Sequence, residues 1–331
     1  SWKNLYLAQS NLDEIIRLNV DEATKAQAAQ NGDNNNQIAV ARILKVFTYQ
    51  VMTDTWGDIP YSSFGGSNAT FDAGKADQGV IYAQYAKQEL IYADLLKELK
   101  EASDQLNTGS SAFASGDAIY KGNALKWKKF ANSLSLRIAN RVRNKLNEAD
   151  NRIKEILANP AQYPIFESND DNALLAFETN APNQAPFYKA TTLANRNDYA
   201  VSNVFVDFLQ GKKAVSPVQD PRLSVYAQPN SKGNYVGQYY GMDMFTASLV
   251  SPDSVSKPGA AFYKSDYKEV LMEYAEVQFI LSEYKNWDQQ HYLNGIRASM
   301  QKWGISNTAV DSYLQSAPPA SQEAVLTQKW V

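Results

Sequence analysis

The chain has 331 residues, 32 Lys plus Arg against 35 Asp plus Glu for a formal charge of −3, and no cysteine. That near balance argues against a nucleic-acid binder or a polybasic membrane-surface protein, and the lack of Cys excludes disulfides, thiolate nucleophiles and thiolate metal sites. His291 is the only histidine, so a histidine-rich metal site is excluded too, while 44% hydrophobic and 20% charged residues suit a chain with a sizeable core.

Ser1-Trp2-Lys3-Asn4 opens directly into helical spacing, without a signal peptide: Trp2, Leu5, Tyr6, Leu12, Ile15 and Ile16 share one face. Asp33-Asn34-Asn35-Asn36 lacks the Gly and the distant Glu of a calcium loop and is expected to cap a second helix. That helix carries Val40, Ile43, Leu44, Phe47 and Val51, then meets Met52-Thr53-Asp54-Thr55-Trp56-Gly57-Asp58-Ile59-Pro60-Tyr61. There Gly57 can take a positive φ, Pro60 cannot continue a helix, and Asp54 and Asp58 can accept from nearby backbone N–H groups. A Gly65-Gly66-Ser67-Asn68 loop follows, then a helical stripe of Ile81, Tyr82, Tyr85, Tyr92, Leu95, Leu96 and Leu99. A fourth stripe is Leu125, Trp127, Phe130, Leu134, Ile138 and Val142.

Residues 159–265 are the least regular, with nine of the 12 prolines, one helix expected over 201–209 and a short extended piece over 173–177. Leu271, Ala275 and Phe279, then Tyr292, Ile296, Met300 and Trp303, return to helical spacing. No run of about 18 apolar residues interrupts the pattern. The reading is a mainly α chain, one domain over 1–331, with helix hairpins of tetratricopeptide-like type, no strict repeat signature and a large irregular loop-rich region.

Five motifs in order resemble the SusD/RagB family of nutrient-binding outer-membrane lipoproteins. They are Thr53-Asp54-Thr55-Trp56-Gly57-Asp58-Ile59-Pro60-Tyr61; the Trp127 to Arg137 run with Phe130-Ala131-Asn132-Ser133-Leu134; Asp220-Pro221-Arg222-Leu223; Glu273-Tyr274-Ala275-Glu276; and Tyr292-Leu293-Asn294-Gly295-Ile296-Arg297. After Glu283 the family's Ala and longer Gly-containing connection are replaced by Tyr284-Lys285-Asn286-Trp287-Asp288. Family members also extend past both ends, so truncation at both is expected. The resemblance implies a SusD-like helical fold and a protein on the cell-surface face of the outer membrane, held by an N-terminal lipid anchor outside this sequence. It further implies capture of an oligosaccharide or peptide for a SusC-like TonB-dependent transporter, with no cofactor and no bond chemistry.

Asp54 and Asp58 could form a glycosidase acid/base pair but read better as caps. Arg137 and Arg141, one turn apart, read with Glu273, Glu276 and Glu283 as ion pairs between packed helices. His291 reads as a packing residue, and no phosphate loop or nucleophile elbow is present. Ligand contacts belong on loops held by the helices. One such loop carries Phe187, Tyr188, Asn195, Arg196, Asp198 and Tyr199; another carries Tyr235, Tyr239, Tyr240, Met242 and Phe245. Rings stack on sugar C–H faces while Asn, Arg and Asp direct hydrogen bonds, so the candidate contacts are Tyr188, Asn195, Arg196, Asp198, Tyr199, Tyr239 and Tyr240. An α-helical glycoside hydrolase and a tetratricopeptide-like adaptor are the alternatives.

Overall fold

The computed structural model describes all residues except 67, 214 and 215, so Ser67 of the expected 65–68 loop lies outside the described residues. The contacts divide the chain into two compact units, Ser1–Glu167 and Ser168–Val331.

The first unit holds α1 (Trp2–Val20), the single turn α2 (Lys25–Ala28), α3 (Asn34–Trp56), α4 (Gln88–Gln105), α5 (Ala124–Val142) and α6 (Asn147–Ala158). α1 packs on α3, α3 on α4, α4 on α5 and α5 on α6, which is the expected stacking of successive helices. Asp33 caps α3 as read, its carboxylate accepting from the Asn36 N–H at 3.0 Å. α3 stops where expected, at Gly57 with φ 77°, whose N–H donates to the Thr53 carbonyl at 2.9 Å. Ile43, Val46, Tyr49 and Met52 from α3, Leu95 and Leu99 from α4, and Trp127, Phe130, Leu134 and Ile138 from α5 are buried together in this unit. The Trp127 indole N–H donates to Asp117 at 2.7 Å, so the largest core side chain keeps its polar tip satisfied.

Three expectations change here. Ile81, Tyr82 and Tyr85 do not extend the α4 stripe: 81–84 is irregular, and β2 (Tyr85–Ala86) pairs antiparallel with β1 (Ile59–Pro60), Ile59 opposite Ala86. The helix starts only at Gln88, whose N–H is taken at 3.0 Å by the Asp58 carboxylate, with Lys87 on its other oxygen at 2.7 Å. Asp58 is thus a cap, for α4 rather than for its own turn. Asp54 caps nothing; it accepts from the Tyr92 hydroxyl and from Arg141 Nε at 3.0 Å, tying α3 to α4 and α5. Arg141 therefore finds a carboxylate on α3.

The second unit holds β3 (Ala173–Ala176), the short helices α7 (Pro186–Tyr188), α8 (Asn203–Leu209), α9 (Leu223–Tyr226) and α10 (Met244–Ser248), β4 (Lys268–Met272), then α11 (Tyr274–Tyr284), α12 (Gln289–Lys302), α13 (Asn307–Ser316) and α14 (Gln322–Trp330). The extended piece read at 173–177 is β3, antiparallel to β4 with Leu174 opposite Val270 and Leu175 opposite Glu269. Leu271 therefore sits on a strand and not on the helical stripe assigned to it. The Asn172 side chain accepts the Tyr274 N–H at 2.7 Å and marks where α11 begins. Phe279, Tyr292, Ile296, Met300, Val310 and Val325 form the core beneath. Glu273 pairs with Lys302 of α12.

Asp220 and Arg222 of the Asp220-Pro221-Arg222 motif are fully buried, with Pro221 half-buried between them. Arg222 reaches Asp220 through Nε at 3.0 Å and Nη2 at 2.6 Å, Ser299 of α12 at 2.9 Å and Gln328 of α14 at 2.8 Å. It clamps the start of α9 to two core helices.

Candidate ligand-binding site

The irregular part of the second unit is held by backbone hydrogen bonds that no periodic pattern encodes. Val201 N–H donates to Ser256 O at 2.9 Å, Ser256 N–H to Val236 O at 2.7 Å, Gln238 N–H to Val201 O at 2.8 Å and Asn203 N–H to Gln238 O at 2.8 Å. These join segments 201–203, 236–238 and 256 just before α8. Gly237 makes the approach possible, because a Cβ there would lie 2.3 Å from the Asn203 Cα.

Two cavities flank Tyr199. The larger, about 650 Å³, is lined by Ala185, Pro186, Phe187, Ala190, Tyr199, Pro258, Phe262, Tyr267 and Glu269. Phe187 meets Tyr199 edge-on at 5.0 Å and Tyr263 edge-on at 5.2 Å, which fixes its ring. α7 holds Phe187 in place: Ala185 N–H donates to Ser265 O at 2.8 Å, and the Thr191 hydroxyl donates to Phe187 O at 2.7 Å. Burial, with Glu269 and Glu273 nearby, pushes the Tyr267 hydroxyl up to about 12, so it stays a protonated donor.

The second cavity, about 380 Å³, is lined by Asp198, Tyr199, Gln238, Tyr239, Tyr240 and Met242, closed by Ala247, Val250, Pro252 and Val255 with Asn197, Ala200 and Gly241. Tyr239 and Tyr240 are 66% and 92% exposed, and α10 beside them exposes Met244 and Phe245. Arg196 grips Asp198 through two hydrogen bonds, at 3.1 and 2.6 Å, and its guanidinium lies 5.2 Å from the centre of the Tyr199 ring. That grip holds the Asp198 carboxyl below the usual carboxylate range.

Of the residues singled out from sequence, Asp198, Tyr199, Tyr239 and Tyr240 meet at one cavity, and Tyr199 and Phe187 at the other. Arg196 supports Asp198 and Tyr199 from outside the walls. Asn195 lies at the preceding turn with φ 51°, and neither it nor Tyr188 lines either of these two cavities. Gln238, Phe262, Tyr267 and Glu269 also line the cavities, and neither spacing nor motif marks them in the sequence. The arrangement can stack flat apolar faces on rings and direct hydrogen bonds from Gln238, Asp198 and the Tyr hydroxyls. Asp54 and Asp58 have a neighbouring cation each and lie in the other unit. Among the described residues no group of three or more His, Asp or Glu is placed to hold a metal ion, and no helix is long and apolar enough to cross a membrane.

Comparison with known proteins follows the same line. Solved structures that superpose include a chitin-binding protein, at 25% identity and a TM-score of 0.75, covering 99% of this chain and 70% of that one. A SusD homolog from Bacteroides uniformis superposes at 26% identity and a TM-score of 0.75, covering 98% of this chain and 68% of that one. A SusD homolog from Bacteroides fragilis, at 20% identity and a TM-score of 0.75, covers 99% and 72% and shares the fold. No curated protein matches. The family model SusD-like_2, described as starch-binding and associating with the outer membrane, matches residues 1–331, and the chain belongs to that SusD-like family of nutrient-binding proteins.

Proposed function

We propose that this chain captures a nutrient at the cell surface, an oligosaccharide or a peptide, and passes it intact to a SusC-like TonB-dependent transporter. In this reading a lipid anchor at the N-terminus of the mature protein keeps it on the outer face of the outer membrane. The observation that carries the reading is the pair of ring-lined cavities sharing Tyr199, within a chain matched along its whole length by a starch-binding family. Contacts fall to Tyr199, Tyr239, Tyr240 and Asp198, with Arg196 positioning the last. Tyr188 and Asn195, outside the cavity walls, contribute less.

Calorimetric titration with a panel of oligosaccharides and peptides tests this, with the ligand recovered and analysed afterwards. Saturable binding with unchanged ligand is expected. Alanine at Tyr199, Tyr239 and Tyr240 together should weaken it at least about a hundredfold, since each stacked ring is worth on the order of 1 kcal/mol or more. Unchanged affinity in that triple variant removes the site assignment, and a shortened ligand removes the non-enzymatic reading.

A further inference from the structure

Resting on the capture reading above, we propose that the larger cavity sorts glycans by charge: it favours a sugar bearing an ammonium group and turns away uronates and sulfated sugars. Four of its walls are rings, Phe187, Tyr199, Phe262 and Tyr267, and its one charged lining residue is Glu269. Glu269 projects from β4 and is exposed, and no Lys, Arg or His is among the lining residues. Ring faces carry negative electrostatic potential and attract a cation set over them, and a carboxylate at the rim adds to that pull. An anionic sugar would surrender hydration there and meet only ring faces and a like charge.

The adjoining cavity does not reverse this. Its one charged lining residue is Asp198, and the cation beside it, Arg196, is already engaged by both Asp198 oxygens and lies against Tyr199. No lining side chain along the pair of cavities therefore offers a cation to a carboxylate or sulfate, while one carboxylate faces any incoming ammonium.

The test uses the full chain and three probes of equal length: a chitosan oligosaccharide, its uncharged N-acetylated counterpart, and an oligogalacturonate. Calorimetry at about pH 5.5 keeps aliphatic ammonium groups and ordinary carboxylates both charged. The chitosan probe should bind roughly three- to tenfold more tightly than the N-acetylated one, and the oligogalacturonate most weakly. E269Q should narrow the gap between the first two affinities to what the rings alone supply, and added salt should narrow it in the unmodified chain. Oligogalacturonate binding as tightly as the neutral probe overturns the proposal, as does a chitosan margin that E269Q leaves undiminished. Neutral binding without any ranking sinks the charge selection alone; failure of every oligosaccharide and peptide to bind sinks the capture reading and this inference with it.

Discussion

Asp220→Ala isolates the buried clamp that supports the site's unit. Asp220 and Arg222 are both 0% exposed, and the carboxylate accepts from the Arg222 backbone N–H at 2.9 Å, from Nε at 3.0 Å and from Nη2 at 2.6 Å. Without it the guanidinium keeps two neutral partners, Ser299 at 2.9 Å and Gln328 at 2.8 Å, and an uncompensated charge. Breaking a buried pair in this way costs about 3–5 kcal/mol, a large share of the roughly 5–15 kcal/mol that holds a domain folded. Asp220→Ala with Arg222→Met removes both charges and leaves Ser299, Gln328 and the backbone N–H of residue 222 short of a partner, all of them neutral, so the double variant should be the more stable of the two. Two compact units make a single unfolding midpoint ambiguous. Hydrogen exchange of peptides from α9, α12 and α14 reads the opening locally instead. The single variant should exchange about a hundredfold faster in these helices, matching the lower end of that cost. Acceleration below about tenfold, or a double variant less protected than the single one, would refute the view of Arg222 as a charge dependent on Asp220.

Gly237→Ala should loosen the junction beneath both cavities, because the new Cβ would meet Asn203 Cα at 2.3 Å and Ser202 O at 2.6 Å. A loss of about 1–3 kcal/mol of local stability and weaker ligand binding are expected, read by hydrogen exchange of α8 peptides and by calorimetry; unchanged values would show that the segments can part freely. His291 sets a pH dependence. Its Nδ1 lies 2.9 Å from Gln278 Oε1 and its Nε2 2.9 Å from Lys285 Nζ, so the ring donates to the first and accepts from the second. Burial first, then Lys285, lowers its pKa below the ordinary 6.5. The folded chain then binds fewer protons than the unfolded one, so this contribution is complete above about pH 6.5 and fades as pH falls below it. His291→Gln should flatten the stability profile between about pH 5 and 7; an unchanged slope would assign the dependence elsewhere.

What was legible in the sequence was decided by neighbours a few residues away. Asp33 finds its donor three positions on, and Gly57 accepts its strained φ at the end of its own helix. What misled the reading was decided from a distance. Tyr85 and Leu271 satisfy helical spacing, yet Pro60 pairs with Tyr85, and the β3 strand at 173–176 lies against the segment that holds Leu271. Local periodicity cannot record a partner some 25 or 95 residues away. The candidate site divides along the same line. Aromatic loops announced Tyr199, Tyr239 and Tyr240, since rings in irregular segments stand out against a helical background. Glu269 and Tyr267 gave no such signal, because β4 reaches the cavity only by pairing with β3. The scaffold is thus written in short-range motifs, while the features that would discriminate one ligand from another depend on long-range pairing. That separation lets the loops change which ligand they hold without disturbing the caps, turns and buried pairs that hold the helices.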